Sequence, residues 1–392
     1  MKYWWRKMFY YRYRPGSELS IKELIYDELY FASRAECNDP YEGKSFAVFE
    51  KDKKAWDNLI RLALIKCKIP LKEKLTKKIV EFYFNKSPIY FDQFVNTSED
   101  EFLSIETDIR EKIFLKHIFT CIKKHVLLYK PEEQYFVSFS RRPDINLMWA
   151  HYANNHRGFC LIFRSIDGKI NQNKYWKKAP FVYPTPNSFS PQVSFSAFES
   201  FKIKDVEYVT DTKSYDGFIY FPPYEKNKPL NIEGKKVITN DREKIYLQKH
   251  ATWYYEEESR IILQNGISWL VGEQLSLSPH QRLFHYDPIH LAGIIVGVNM
   301  PQEQRCRIEE IMEEKARRQY ECLDKEFIVS DLVMLEEKLS ETNREPEIVP
   351  CKIYGSGALI DKQDKEFSCR YKRWEDGYVF KYTDRTEEIQ LK

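Results

Sequence analysis

The chain has no C-x-x-C pair, no Gly-rich loop after its first strand pattern and no run of about 18 apolar residues. Each absence excludes something. The eight cysteines, Cys37, Cys67, Cys121, Cys160, Cys306, Cys322, Cys351 and Cys369, are scattered, which rules out the familiar zinc frameworks and fits reduced thiols in a cytoplasm. Histidines are equally dispersed: His151 and His156 lie five apart, with no carboxylate where a metalloprotease helix would need one, so no metal is expected. Without a Gly-rich fingerprint the first strand does not open a nucleotide-binding βαβ unit of the usual kind. The missing apolar run argues against a membrane span, and Met1 to Lys7 breaks into charge before a signal-peptide core can form. Strong charge is lacking too: 62 Lys and Arg against 59 Asp and Glu leave +3, below the level that by itself predicts nucleic-acid binding.

What is present is an ordinary globular composition, 43% apolar and 31% charged, with a high aromatic share of 16% that suits a flat-ligand pocket or a rigid, loop-heavy fold. At 392 residues there is room for two domains, or, as we prefer, for one catalytic domain with insertions and a tail. Residues 8–14 read as a strand stopped at Pro15-Gly16. Ser20 to Glu23 has capping-box spacing for a short helix, and Leu29 to Ala32 reads as a second strand before the turn Asn38-Asp39-Pro40-Tyr41-Glu42. Residues 51–130 turn helical, with Ile105, Ile109, Ile113, Ile122 and Val126 marking one face of a long helix; His117 and His125 read as packing or surface residues. Tyr135 to Ser140 is a strand, Leu147 to Ala153 a short aromatic helix and Gly158 to Phe163 a buried strand. Residues 171–237 read as a long irregular loop, Glu243 to His250 as a helix-like approach, Leu291 to Gly297 as a strand and Gln302 to Tyr320 as an amphipathic helix. Short strands at Cys351 to Tyr354 and Tyr378 to Tyr382 close the chain. The expected segments are 1–50 and 131–340 as a catalytic core, 51–130 as a helical insertion and 341–392 as a small C-terminal β extension.

The chemistry concentrates at Trp253-Tyr254-Tyr255-Glu256-Glu257-Glu258-Ser259-Arg260, ahead of the apolar run Ile261-Ile262-Leu263. Read as one strand, it sends Glu256 and Glu258 to the same face, about 7 Å apart, where two carboxylates can divide acid, base and charge-stabilising roles. The alternative is a solvated acidic turn.

Tyr11-Arg12-Tyr13, Ser138-Phe139-Ser140 and Glu256-x-Glu258, in that order, resemble the arginine-serine-glutamate signature of the ADP-ribosyltransferase superfamily. That resemblance implies an α+β fold with an ADP-ribosyltransferase-like split β-sheet core and NAD as substrate. Arg12 would hold phosphate or ribose oxygens and Ser138, with Ser140, the nicotinamide-side ribose. Glu258 would stabilise an oxocarbenium-like state and Glu256 orient or deprotonate the acceptor. Tyr13, Trp149 and Tyr152 are candidates to stack on a ring, although core packing is the more ordinary role for each. A longer series, adding Asn38-Asp39-Pro40-Tyr41-Glu42 and Met148-Trp149-Ala150-His151-Tyr152-Ala153, is similar to the bacterial domain of unknown function 2971 over roughly residues 10–300. It leaves His151 as an alternative to Arg12 for holding the cofactor. Its implication is a toxin or effector in bacterial or phage-defence settings, acting on a protein or nucleic-acid acceptor, with a partner protein of the defence system possible. An NAD glycohydrolase, and a non-catalytic sensor or interaction module on a degenerate version of the fold, are the alternatives.

Overall fold

A computed structural model of the chain describes residues 8–43, 46–128, 134–176, 182–184, 192–194, 199–211, 214–221, 245–263, 276–319, 327–342, 344–355, 358–382 and 386–391. Met1 to Lys7, Pro222-Pro223 and Asn227 to Pro229 lie outside them.

The first part of the chain forms β1 (Phe9–Arg14), α1 (Glu18–Ile25), β2 (Glu28–Tyr30) and β3 (Ala47–Phe49). The helical block follows as α2 (Lys53–Lys66), α3 (Glu73–Lys86), β4 (Ile89–Tyr90), α4 (Phe91–Val95), α5 (Glu99–Leu103) and α6 (Ile109–Leu128). Then come β5 (Tyr135–Ser140), α7 (Asn146–Tyr152), β6 (Phe159–Arg164), β7 (Lys169–Asn171), β8 (Val182–Pro184), β9 (Gln192–Ser194), β10 (Ser200–Asp205), β11 (Glu207–Val209), β12 (Tyr215–Asp216), β13 (Gln248–His250) and β14 (Glu258–Leu263). The remainder is β15 (Leu283–His285), β16 (Leu291–Val296), α8 (Gln302–Arg318), β17 (Phe327–Val329), β18 (Leu332–Leu339), β19 (Pro346–Gly355), β20 (Ala358–Asp361), α9 (Phe367–Glu375), β21 (Tyr378–Tyr382) and β22 (Thr386–Gln390).

The chain is thus α+β, built on one large mixed sheet in the order β20-β19-β18-β16-β6-β1-β5-β14-β10-β7, in which, among the described residues, β16 and β18 are the one parallel pair. Period two sorts the side chains of its central strands. Tyr10, Phe139, Leu161, Phe163 and Ile261 pack on one face with α1 and with Ile308, Met312 and Ala316 of α8. Phe9, Tyr11, Tyr13, Cys160 and Ile162 pack on the other with Trp149 of α7 and Phe367 and Trp374 of α9. The helices between β3 and β5 keep a core of their own around Trp56, Tyr83, Phe94 and Phe102.

The sheet has one weak seam. β1 is laddered to β6 over all six residues from Phe9 opposite Arg164 to Arg14 opposite Phe159, and β5 to β14 from Glu258 opposite Ser140 to Leu263 opposite Tyr135. Between β1 and β5 the single register pair is Tyr11 opposite Ser140. Beyond it the two halves part.

Several sequence-based expectations are corrected. Helix α1 is capped by Ser17, whose hydroxyl accepts from the Ser20 N–H; Ser20 is itself inside the helix and buried. In α6, Ile109 and Ile113 are exposed at 77% and 71%. The stripe that packs is Leu115, Ile118, Phe119, Ile122 and Val126, and Ile113 lies nine residues from Ile122, about half a turn around the helix. The segment 171–237 is not wholly irregular, because β10 joins the main sheet against β14 and β11 pairs with β13. That parallel pairing also makes Gln248–His250 a strand and not a helical approach.

Gly158, where α7 hands over to β6, has no room for a side chain: a Cβ there would lie 2.1 Å from the Arg14 carbonyl oxygen and 3.0 Å from that of Ala153. Gly158→Ala should lower stability by about 1–3 kcal/mol or more, because backbone must shift to admit the methyl group. A urea midpoint equal to the parent's would show that the junction is not tight.

Candidate functional site

The acidic stretch does not run as one strand. Ala251–Glu256 is a 3-10 helix, Glu257 adopts the left-handed conformation at φ 41°, and the strand begins at Glu258. The period-two argument for pairing Glu256 with Glu258 therefore fails. The two carboxylates converge anyway, because the turn at Glu257 folds Glu256 back over the start of β14 and both meet the Lys249 ammonium. Its Nζ lies 2.5 Å from Glu256 Oε2, 3.0 Å from Glu258 Oε2 and 3.9 Å from Glu42 Oε2.

Arg260 closes the network from below. Its Nε and Nη2 each donate to Glu258 at 2.7 Å, its Nη1 and Nη2 donate to Glu42 at 2.6 and 2.8 Å, and Nη1 also reaches the Tyr246 carbonyl at 2.6 Å. Arg260 and Glu258 share a face because they are two residues apart on β14, and the Asn38 to Glu42 turn brings Glu42 over them. All five groups are buried, Glu258 at 5% exposure and Arg260 at 1%. Three carboxylates on two cations, out of water, cannot all behave alike. Burial alone would raise Glu258, but Arg260 and Lys249 outweigh it, with help from the Ser138 hydroxyl, and hold its carboxyl at about 2. Glu256 goes the other way: burial and the Glu258 charge push it above 4.5 against the pull of Lys249.

These groups line a cleft of about 340 Å³ at the seam between β1 and β5, roofed by residues 30–42. Arg12 comes into it from the opposite pleat of β1. Its Nη1 lies 3.5 Å from the Ser138 carbonyl across the seam, its Nε is buried without a hydrogen-bond partner, and burial and neighbouring Arg14 pull its pKa down to about 10. Tyr152, from α7, donates to Glu256 Oε1 at 2.6 Å.

The other sequence candidates fall in different places. Ser138 faces Glu258, whereas the Ser140 hydroxyl donates to the Glu256 carbonyl at 2.7 Å and accepts from the Arg142 N–H, so it fixes the turn. Tyr13 reaches the cleft wall with its hydroxyl tied to the Arg142 carbonyl at 2.8 Å. Trp149 does not line the cleft: it is fully buried behind Tyr13, its indole N–H donating to the Pro143 carbonyl, which leaves no face for a ligand. His151 is exposed and absent from the wall, because α7 turns its neighbour Tyr152 inward instead; Arg12 is the one of the two alternatives that the fold brings to the cleft. Sequence reasoning missed Lys249 and gave Glu42 and Arg260 no role. Period two from Glu258 implicates Arg260; no local motif marks Lys249.

Against known proteins, one stretch stands out. Residues 148–261 match the model of a family described as a protein of unknown function, DUF2971. That segment runs from α7 into β14 and so contains Tyr152, Lys249, Glu256, Glu258 and Arg260, while Arg12, Glu42 and Ser138 lie before it. No curated protein and no solved structure matches the chain. Among the described residues no group of His, Cys, Asp and Glu is arranged to hold a metal ion, and no helix is long and apolar enough to cross a membrane.

Arg260→Met should cost about 3–5 kcal/mol, since it strands two buried carboxylates. The sign with pH follows from Glu258: its folded pKa lies below the unfolded value of about 4.3, so the stabilisation is complete at neutral pH and is lost as pH falls from about 4 towards 2. Urea titrations across that range should show this acid limb in the parent and its loss in Arg260→Met. Curves that coincide would mean that Arg260 adds nothing to stability, and displaced but parallel ones that it is not what holds Glu258 low.

Proposed function

We propose that the cleft binds NAD and that the protein is an ADP-ribosyltransferase-like enzyme, passing ADP-ribose to a macromolecular acceptor. The observation that carries the reading is the pair of glutamates on Lys249, one held ionised and one pushed up, at a seam where a buried arginine presents an unpartnered donor. Breaking the bond between nicotinamide and ribose develops positive charge on the sugar, and a fixed anion beside it lowers the barrier. Glu258 is that anion, kept charged by Arg260. Nicotinamide leaves with the bonding electrons. The acceptor oxygen or nitrogen then bonds to the ribose carbon and surrenders its proton to Glu256, whose raised pKa suits a base. Arg12 provides guanidinium donors for phosphate or ribose oxygens. Water in place of the acceptor gives NAD hydrolysis by the same steps. A role as toxin or effector in defence, with a partner protein of that system, belongs to this reading through the family resemblance.

One observation favours a second reading. Both oxygens of Glu258 already accept from Arg260, and one also from Lys249, so the network is closed in a way that serves a binding module as well as an enzyme.

Release of nicotinamide from NAD, with and without cell lysate, separates the two. Glu258→Gln should abolish release. Glu256→Gln should reduce it and remove an acid limb of the rate profile whose midpoint lies above 4.5, since rate rises with pH as Glu256 ionises. No release by the parent under either condition would reject the enzyme and leave the binding module.

Arg12→Ala should weaken NAD binding by about 1.5–3 kcal/mol, the worth of a charge-assisted contact. Calorimetry giving the parent's affinity would remove Arg12 from the site.

A further inference from the structure

The helical block brings two thiols together. Cys67 closes α2, and a left-handed turn fixes it there: Lys68 has φ 56°, its N–H donates to the Ile65 carbonyl, and the Ile69 N–H donates to the Leu64 carbonyl, both at 2.9 Å. Cys121 lies within α6 and belongs to the same apolar core as Leu64 and Ile69. Helices α2 and α6 pack against each other, and three side-chain interactions show where. The Lys66 charge reaches His125, the Lys124 charge reaches Cys67, and Cys121 acts on Cys67 both as a hydrogen-bond partner and as a charge. The end of α2 therefore lies along residues 121–125 of α6, with the two sulfurs as neighbours.

The surroundings give the two thiols different characters. His117, Cys121 and Lys124 are four and three residues apart and share one face of α6. His117 Nε2 lies 3.8 Å from Cys121 Sγ, so an unprotonated Nε2 is placed to take the Cys121 proton, and Lys124 favours negative charge at the pair. Cys67 keeps its proton: burial first, and Cys121 after it, push its pKa up to about 12. A protonated Cys67 can donate to a Cys121 thiolate. Cys121 is buried, but Cys67 is half-buried and His117 exposed, so the pair sits at the edge of the core, within reach of a small molecule. A thiolate-forming cysteine beside a second thiol is the arrangement that oxidants convert reversibly.

We propose that Cys67 and Cys121 are a redox pair that hydrogen peroxide converts to a disulfide joining α2 to α6. The Cys121 proton passes to His117 Nε2, and the thiolate attacks one peroxide oxygen. The O–O bond breaks, the departing hydroxide takes the proton from His117 as water, and Cys121 is left as a sulfenic acid. The Cys67 sulfur then attacks the Cys121 sulfur. The S–S bond forms as the S–O bond breaks, and the Cys67 proton leaves with hydroxide as a second water. Two thiols are oxidised and one peroxide is reduced. None of this depends on NAD or on the cleft.

Peptide mapping of the full chain after hydrogen peroxide treatment, with the remaining free thiols alkylated, tests the pair. The exposed Cys306 and Cys369 are first replaced by serine, so that links between molecules do not obscure the result. The expected product is one peptide pair joined through Cys67 and Cys121, two hydrogen atoms lighter than its reduced parts and separated again by dithiothreitol. In Cys67→Ser, dimedone should label Cys121, because the sulfenic acid has lost the thiol that resolves it. Urea unfolding gives a second measurement that needs no substitution at the pair. The oxidised protein should have the higher midpoint, since the bond closes a loop holding α3, α4 and α5, and dithiothreitol should restore the lower one. Recovery of Cys67 and Cys121 as free thiols after peroxide overturns the proposal, as does their separate oxidation to sulfinic acids with no link. A disulfide that lowers the midpoint overturns it too, because such a bond does not fit the folded helices.

Discussion

Two buried cations among three buried glutamates set the terms for the centre of this molecule. Arg260 and Lys249 come from different strands, and Glu42, Glu256 and Glu258 from a turn, a 3-10 helix and a strand start; of these five only Glu258 and Arg260 share an element. A carboxylate at 5% exposure is not left charged unless cations meet it, and Arg260 meets Glu258 and Glu42 at once with its planar fork. The network therefore ties the Asn38 to Glu42 turn to β14 and holds the roof of the cleft in place.

The same network explains why two glutamates of one short stretch have different characters. Glu258 lies at the arginine and is held at about 2, whereas Glu256 meets only the shared lysine and the Tyr152 hydroxyl, and burial prevails there. Environment, and not residue type, divides the roles. Lys249 is the hinge of that division, since one ammonium serves both carboxylates and its attraction to one is shared with the other.

Much of this was legible in the sequence, and the reasons differ from place to place. Strands β1, β5, β6 and β16 were readable because their apolar runs are buried on both faces and bounded by turns. The short helix α7 was readable from its aromatic run after Pro143. Other elements were hidden where two signals compete: Ile109 and Ile113 look like a core stripe by spacing, but the packed face of α6 is set by α2, which lies elsewhere in the chain. Strands β10 and β13 were hidden because polar strands are specified by their partners and not by their own periodicity. At the site, Glu256 and Glu258 were found through a strand that does not exist at Glu256; the positive φ of Glu257 undid the geometry and preserved the convergence. Lys249 could not be found locally, since its meaning comes from three acids, one of them some 200 positions away.

The seam and the network belong to one construction. The two halves of the sheet share one register pair, Tyr11 and Ser140; along the rest of the seam Arg12 reaches across to the Ser138 carbonyl, Arg141 reaches the Phe9 carbonyl, and Phe136 of β5 pairs with Ala32. An open seam in the middle of a sheet needs something to hold its two sides apart and in register. On one side that support is the unbroken ladder from β1 to β6; on the other it is the ladder from β5 to β14, fixed at its end by Ser140 on the Glu256 carbonyl and by Arg260 under Glu258. The acids that give the cleft its chemistry thus also tie its walls together, through Arg260 between Glu258 and Glu42, so a substitution that removes charge from the network should alter the shape of the cleft together with its electrostatics. Replacing glutamate by glutamine keeps the size of the side chain while taking away the charge, but at Glu258, whose two oxygens both accept from Arg260, it also sets an amide NH2 against donors and so loses a hydrogen bond.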